Sequence, residues 1–221
     1  MGVAPPTAMD YIREVALFFE EIAPLYIRLP DAHEFPRLST VINGEDAILF
    51  VDGFLPAIQR PDHAGDDFYC ARGGKCRDSI NVQIICDRFG LIREVVTGMP
   101  GRMHDKTALQ HSAAFRNFVN GLPNGYIVLG DSAYQGYDAA KLRVPHHGVN
   151  FNNLTQAERE YNTAHSSLRS VVERVNLCIE VKWRILQMKE FRVAAKTGVV
   201  LASQIVLAAA VLHNRYTNFI A

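Results

Sequence analysis

The sequence predicts an α/β fold, a mixed sheet flanked by helices. Three observations predict it. Three compact apolar runs of β type, 47–51, 80–86 and 91–97, fall in the first half of the chain. A fourth short run, 126–129, follows a stretch of helical periodicity. From about residue 155 onward the apolar residues recur at helical spacing.

The elements follow in order. Residues 10–27 carry Ile12, Val15, Ala16, Phe19, Ile22 and Ala23 at helical spacing, with Asp10 placed to cap them and Pro24 to disturb the end. Residues 29–44, with Pro30 and Pro36, read as irregular with a short helical turn. The run 47–51 is a strand ending on Asp52-Gly53. Residues 62–75 are polar and read as a loop. The runs 80–86 and 91–97 flank Asp87-Arg88-Phe89-Gly90, a hairpin signature. Met99-Pro100-Gly101 breaks the chain, and 104–119 reads as one helix that stops at Gly121-Leu122-Pro123. The strand 126–129 ends on Gly130-Asp131. A short helix is expected over 134–142 and a fifth strand over 149–151. A long helix follows from 155 to about 187, and a last apolar helix from 194 to about 216. The order strand, strand, strand, helix, strand, helix, strand, helix is that of the ribonuclease-H-like fold. Residues 1–45 are expected to form an N-terminal helix and irregular lead-in packed on a domain at 46–221.

At 221 residues the chain can bury a substantial core, and 48% hydrophobic with 21% charged residues is ordinary for a globular protein. No stretch reads as a membrane span. The longest candidate, 199–212, contains Ser203 and Gln204 and reads as a core helix. No charged start precedes an apolar run, so no secretory signal is expected. Cys70, Cys76, Cys86 and Cys178 form no C-x-x-C pair and read as free thiols. Cys70 and Cys76 with His63 match no standard zinc module. Charge is unevenly spread. Residues 1–67 hold 4 basic and 12 acidic residues, and residues 68–221 hold 19 basic and 11 acidic. A basic face suits a nucleic-acid enzyme, and an acidic N-terminal part docked on a basic remainder explains the split equally well.

Two strands terminate in an Asp beside a Gly, at Asp52 and at Asp131. A third acid, Glu173, borders the apolar stripe Val171, Val172, Val175 and Ile179 of the long helix. Carboxylates at neighbouring strand ends, with a third brought over them by a helix, form an all-oxygen set suited to paired divalent ions. Taken singly, each Asp also suits a turn and Glu173 a solvated helix face.

At these residues the sequence resembles the nuclease domain of the PIF/harbinger transposases and their domesticated relatives, over about residues 10–214. Phe50-Val51-Asp52-Gly53 with Ile58 and Pro61 resembles the first catalytic Asp block, and Phe68-Tyr69 through Phe89-Gly90 the strand pair after it. Pro100-Gly101-Arg102-Met103-His104-Asp105 resembles the Pro-Gly-x-x-His-Asp block, and Leu129-Gly130-Asp131-Ser132-Ala133-Tyr134 the Gly-Asp-x-x-Tyr block. Tyr161-Asn162, His165, Arg169, Val172-Glu173-Arg174 and Lys182-Trp183-Arg184 resemble the helix that bears the catalytic Glu. Val211-Leu212-His213-Asn214 resembles the closing helix. Phe54-Leu55 stands where many relatives have Thr-His, and Ala133 and Gln135 where many have Gly and Pro.

The resemblance implies a DDE-type nuclease on a ribonuclease-H-like (retroviral-integrase-like) fold. Asp52, Asp131 and Glu173 would be catalytic and metal-binding, and two Mg²⁺ (or Mn²⁺) ions their cofactor. The implied reaction is hydrolysis of phosphodiesters at transposon ends, then joining of the 3′-hydroxyl to target DNA. The alternative is a domesticated DNA- or protein-binding module without cleavage. Double-stranded DNA, a Myb-like partner protein and a homo-oligomer are the implied partners. The implied localisation is nuclear in a eukaryote and otherwise cytoplasmic. His104 is expected to pack under the site and Asp105 to cap the helix it opens or to support the metal ligands. Lys75, Arg102 and Arg174 are expected to border DNA phosphates. Trp183 reads as core, and His146-His147 as loop.

Overall fold

The computed structural model describes residues 5–61, 66–71, 77–137, 140–147, 153–186 and 197–220. Helix α1 (Pro5–Tyr26) starts earlier than the Asp10 cap would place it. Pro5 and Pro6 fall in its first turn, where a missing N–H costs no helical bond. Asp10 therefore lies inside the helix, paired with Arg13 at 3.3 Å. A 3₁₀ turn leads into the four-residue α2 (Phe35–Leu38).

Strand β1 (Thr40–Ile42) then turns into β2 (Glu45–Phe54) through Asn43 and Gly44, at φ 50° and 78°. Positive φ at both central residues is the two-residue hairpin turn whose twist suits paired strands. The lead-in thus adds a strand where irregular chain was expected, and a division at residue 45 would cut a hairpin. β3 (Tyr69–Cys70) and β4 (Arg77–Asp78) pair in a small separate ribbon.

β5 (Ile80–Cys86) and β6 (Ile92–Pro100) form the predicted hairpin. The expected helix over 104–119 is two helices, α3 (Asp105–Gln110) and α4 (Ala113–Gly121). Ser112 divides them: its Oγ accepts from the Phe115 N–H, capping α4, and donates to Glu94 at 3.0 Å. β7 (Tyr126–Leu129) falls where predicted. The helix expected over 134–142 is absent from the described residues there. A 3₁₀ turn at Ser132–Tyr134 leads on to the two-residue β8 (Leu142–Arg143). The strand expected at 149–151 lies outside the described residues. α5 (Gln156–Lys182) opens with a Thr155/Glu158 capping box and stops at Trp183, short of the expected 187. α6 (Thr197–Ile220) closes the chain.

The sheet runs β6-β5-β2-β7-β8, with β1 on the N-terminal part of β2. β5 and β6 are antiparallel to their neighbours, whereas β7 and β8 run parallel to β2. This mixed sheet, packed by helices, is the ribonuclease-H-like fold. Phe50, Phe54, Val82, Ile84, Ile127 and Leu129 pack on the side of α5 and α6. Leu49, Val51, Ile85 and Val128 face Leu109, Phe115 and Val119 of α3 and α4.

Two polar anchors lock the β5–β6 hairpin. The fully buried Asp87 carboxylate accepts from the Phe89 and Leu91 N–H groups at 2.9 and 3.2 Å. Its other oxygen accepts from Arg93 Nε at 2.8 Å, and Arg93 reaches on to Glu34 at 3.2 Å. From α6, the Asn214 side chain pairs with both the N–H and the carbonyl of Ile92, and donates to Tyr26 O of α1. One side chain thus ties three elements together.

Running to Ile220, α6 is long and apolar enough to cross a bilayer by length and composition, which residues 199–212 alone are not. More than half of that window is buried inside the protein. Packing against α1 and the sheet makes it a core helix. Cys70 and Cys86 are buried free thiols and Cys178 is half-buried. Cys76 and His63 lie outside the described residues.

Gly101 follows the edge of β6, and a Cβ there would meet Ser79 Oγ at 2.1 Å and the Ser79 carbonyl oxygen at 2.6 Å. The backbone cannot yield as a side chain would. Gly101→Ala is expected to cost about 1–3 kcal/mol, the range for overpacking. Chemical denaturation measures it; a loss under about 0.5 kcal/mol, the scale of an ordinary surface change, contradicts the close approach.

Candidate functional site

Asp52 sits on β2 opposite Ile84 of β5. Side chains alternate along a strand, so Asp52 shares the face of Phe50 and Phe54, towards α5. Its carboxylate meets that helix directly. Oδ1 accepts from Arg169 Nη2 at 3.0 Å, and Oδ2 accepts from Asn176 Nδ2 at 2.9 Å.

Asp131 follows β7, the parallel neighbour of β2. Its Oδ1 accepts from the Ala133 N–H at 2.8 Å, capping the 3₁₀ turn and fixing the side chain at the strand end. Glu173 lies on α5 one turn beyond Arg169, whose Nη1 stands 3.6 Å from Glu173 Oε1. Arg169 is 8% exposed and Glu173 54% exposed, so the cation is fixed and the acid has room to turn.

The three acids act on one another. Burial pushes the Asp52 carboxyl up, to about 6; Arg169 and the Asn176 hydrogen bond oppose the rise, and the charges of Asp131 and Glu173 add to it. Among the described residues, the three carboxylates do not close to within 4.8 Å of one another as a set. Arg169 stands between two of them. The group that does meet that distance is Asp31, His33 and Glu34 at the surface, where Arg28 and Arg93 already pair the acids.

A buried polar network supports the opposite face of the sheet. Asn81 donates to Asp105 at 2.8 Å and to Met103 O at 3.0 Å. Gln83 donates to Asn81 at 2.5 Å and to Asp105 at 3.2 Å. The Tyr134 hydroxyl donates to Gln83 Oε1. Tyr134, three residues after Asp131, thereby ties the Asp131 turn to the strand beside Asp52. Burial and the Asp105, Asp52 and Asp131 charges hold its phenol well up and protonated. A Cβ on Gly53 would meet Gln83 Nε2 at 2.7 Å, so any other residue there would push the Gln83 amide from its place in the network.

The other expected site residues divide. Asp105 opens α3, and its carboxylate anchors Asn81 and Gln83. The cap position belongs to His104, which makes no capping bond and is exposed rather than packed under the site. Arg102 is exposed, its N–H bonded to Asp67 O. Arg174 is exposed and donates to Ser170. Lys75 lies outside the described residues. His146 meets the Tyr161 ring edge-to-face and is bridged through its backbone to the Asn162 side chain. Trp183 is half-buried and packs against the core.

The sequence blocks include Asn162, His165, Arg169 and Glu173, but the single face they form with Asn176 on α5 was passed over. Asn162, His165, Arg169, Glu173 and Asn176 are spaced 3, 4, 4 and 3 residues apart, one face of a helix. The first two hold β8 and the segment after it, Asn162 through His146 and His165 through Arg143 O at 3.3 Å. Burial lowers His165 to about 4, so it is neutral at physiological pH. The last three reach Asp52 or its partner. That spacing is legible in the sequence.

The donor set is hard oxygen: three carboxylates and the Asn176 Oδ1 atom, buried beside Asp52 without a partner among the described residues. Such ligands suit Mg²⁺ or Mn²⁺ and not zinc, so the residues fit the ions the fold implies.

Residues 51–214 match the family described as DDE superfamily endonuclease. A human protein named "Putative nuclease HARBI1" is 32% identical over 220 residues, covering 97% of this chain and 60% of that protein. The rat protein of that name is 32% identical over 166 residues, covering 74% and 44%. The mouse protein is 33% identical over 160 residues, covering 72% and 42%. The chain thus spans about half the length of these relatives. No solved structure matches it.

Proposed function

Because the chain belongs to the DDE superfamily endonucleases, we propose that it is a divalent-metal-dependent DNA nuclease of the transposase type, cutting and rejoining strands with Asp52, Asp131 and Glu173. The observation that carries this reading is the meeting of acids from β2 and α5 at one guanidinium, Asp52 3.0 Å and Glu173 3.6 Å from Arg169, with the Asp131 charge acting on the same Asp52 carboxyl. Three acids set around one guanidinium leave net negative charge, which is what a cation site looks like before it is filled.

When bound, two Mg²⁺ or Mn²⁺ ions supply an activated water and stabilise the leaving oxygen of a phosphodiester. The protein's part is placement. β2 and the β7 turn fix two carboxylates, and the Asn81–Gln83–Asp105–Tyr134 network keeps those supports in register. Glu173, exposed on α5, is free to turn towards them. The reading takes double-stranded DNA at transposon ends as substrate, with transfer of the freed 3′-hydroxyl. It carries with it a Myb-like partner, a homo-oligomeric assembly and nuclear localisation in a eukaryote.

The test is nicking of supercoiled plasmid. Nicking is expected in Mg²⁺ or Mn²⁺, to cease in EDTA, and to fall at least about 100-fold in Asp131→Asn, since even outer-shell losses reach that scale. Duplex DNA should be cut in preference to RNA or an RNA–DNA hybrid. Nicking that survives Asp131→Asn overturns the assignment. Tight DNA binding without nicking would point instead to a domesticated binding module.

A further inference from the structure

We propose that Arg169 is the resident counter-ion of the acidic site, holding Asp52 and Glu173 together while no divalent cation is bound and competing with that cation for Asp52. The inference rests on the reading of Asp52, Asp131 and Glu173 as ligands of divalent ions.

Three observations carry it. The Arg169 guanidinium touches both acids, 3.0 Å from Asp52 Oδ1 and 3.6 Å from Glu173 Oε1, and its side chain is 8% exposed. Both Asp52 oxygens are already engaged by nitrogen donors, Oδ1 by Arg169 and Oδ2 by Asn176. Arg169 Nε is buried and has no partner among the described residues, so the guanidinium is incompletely satisfied where it sits. A fully paired buried arginine would be a fixed strut. This one makes its contacts only through its two terminal nitrogens.

The physical consequence is a competition. A dication on Asp52 Oδ1 would lie a few ångströms from the guanidinium, and like charges repel strongly where water is excluded. Arg169 therefore weakens cation binding and keeps the metal-free site assembled. A purely structural arginine would do the reverse, because its loss would scatter the ligands and weaken binding.

The test is Mn²⁺ titration of the full chain, with free Mn²⁺ read by electron paramagnetic resonance. Arg169→Gln is expected to bind Mn²⁺ about tenfold tighter than the wild type, the charge repulsion having been removed. Its metal-free melting temperature should drop, and Mn²⁺ should raise that temperature by more than in the wild type. Arg169→Lys keeps the charge and should bind Mn²⁺ close to the wild-type affinity. Unchanged or weaker binding in Arg169→Gln overturns the proposal. Should Arg169→Gln be unfolded in EDTA, recovery of near-ultraviolet circular dichroism on adding Mn²⁺ supports it, and failure to recover overturns it. Absence of Mn²⁺ binding in the wild type overturns the metal reading itself, a result distinct from wild-type binding that Arg169→Gln fails to improve.

Discussion

Asp52→Asn is expected to abolish DNA nicking and, at the same time, to raise the melting temperature of the metal-free protein. The loss of nicking follows from removing a metal ligand and should exceed about 100-fold. The gain in stability follows from the same carboxylate. Burial pushes the Asp52 carboxyl up to about 6, with Asp131 and Glu173 adding to the rise. A carboxyl that titrates higher in the folded chain than in the unfolded one binds its proton more tightly when folded. Its ionisation therefore costs stability. The cost appears as pH rises from about 4 to about 6 and is constant above.

Asparagine removes that charge and can keep the contacts. Its oxygen can accept from Arg169, and its amide can donate to Asn176 Oδ1, now without a partner, once the Asn176 amide turns over. Melting in EDTA at pH 8 should rise by about 2–4 °C per kcal/mol relieved, and the difference should vanish near pH 4. A fall in melting temperature at pH 8, or nicking retained, refutes the assignment. Such a trade of stability for activity is usual at sites that gather like charge.

A second large effect lies outside the site. Asp87→Ala should destabilise the protein by about 3–5 kcal/mol, the scale for breaking a buried ion pair from one side. The carboxylate is fully buried and satisfies the Phe89 and Leu91 N–H groups as well as Arg93, itself 7% exposed. Removal leaves two backbone donors unpaired and Arg93 with Glu34 alone. Urea unfolding at pH 7 should show a lower midpoint with little change in slope. A loss under about 1 kcal/mol would mean that water or another group replaces Asp87.

Much of the sheet was legible because its strands are long or cleanly bounded. The runs 80–86 and 126–129 became β5 and β7 residue for residue, and Asp131 follows β7 as expected, whereas β2 runs two residues past Asp52 to Phe54. β1 was missed although Asn43-Gly44 is the strongest short hairpin signal, because a three-residue strand leaves no alternation to read. β8 has two residues and leaves none at all. α3 and α4 read as one helix because their apolar period runs on through Ser112, and only its capping bond to Phe115 divides them.

The supporting network shows a different limit. Asn81 and Gln83 alternate with Ile80, Val82 and Ile84, which in an isolated strand marks a solvent face. Both are fully buried, because α3 and Tyr134 cover that face and supply partners. Alternation shows which residues share a face, and tertiary contacts decide whether the face is wet. Asn176 was missed, and the contact of Arg169 with Asp52 not foreseen, for a related reason. Their helical spacing with Glu173 is plain, but only the fold reveals that Asp52 lies beneath them.

The most direct test is diffraction at the manganese edge from crystals soaked in Mn²⁺. The account predicts anomalous peaks about 2.1 Å from carboxylate oxygens of Asp52 and Asp131, with Glu173 turned in to complete the shell and Arg169 drawn off Asp52. Manganese absent from this cleft, with Arg169 still seated on Asp52, would contradict it.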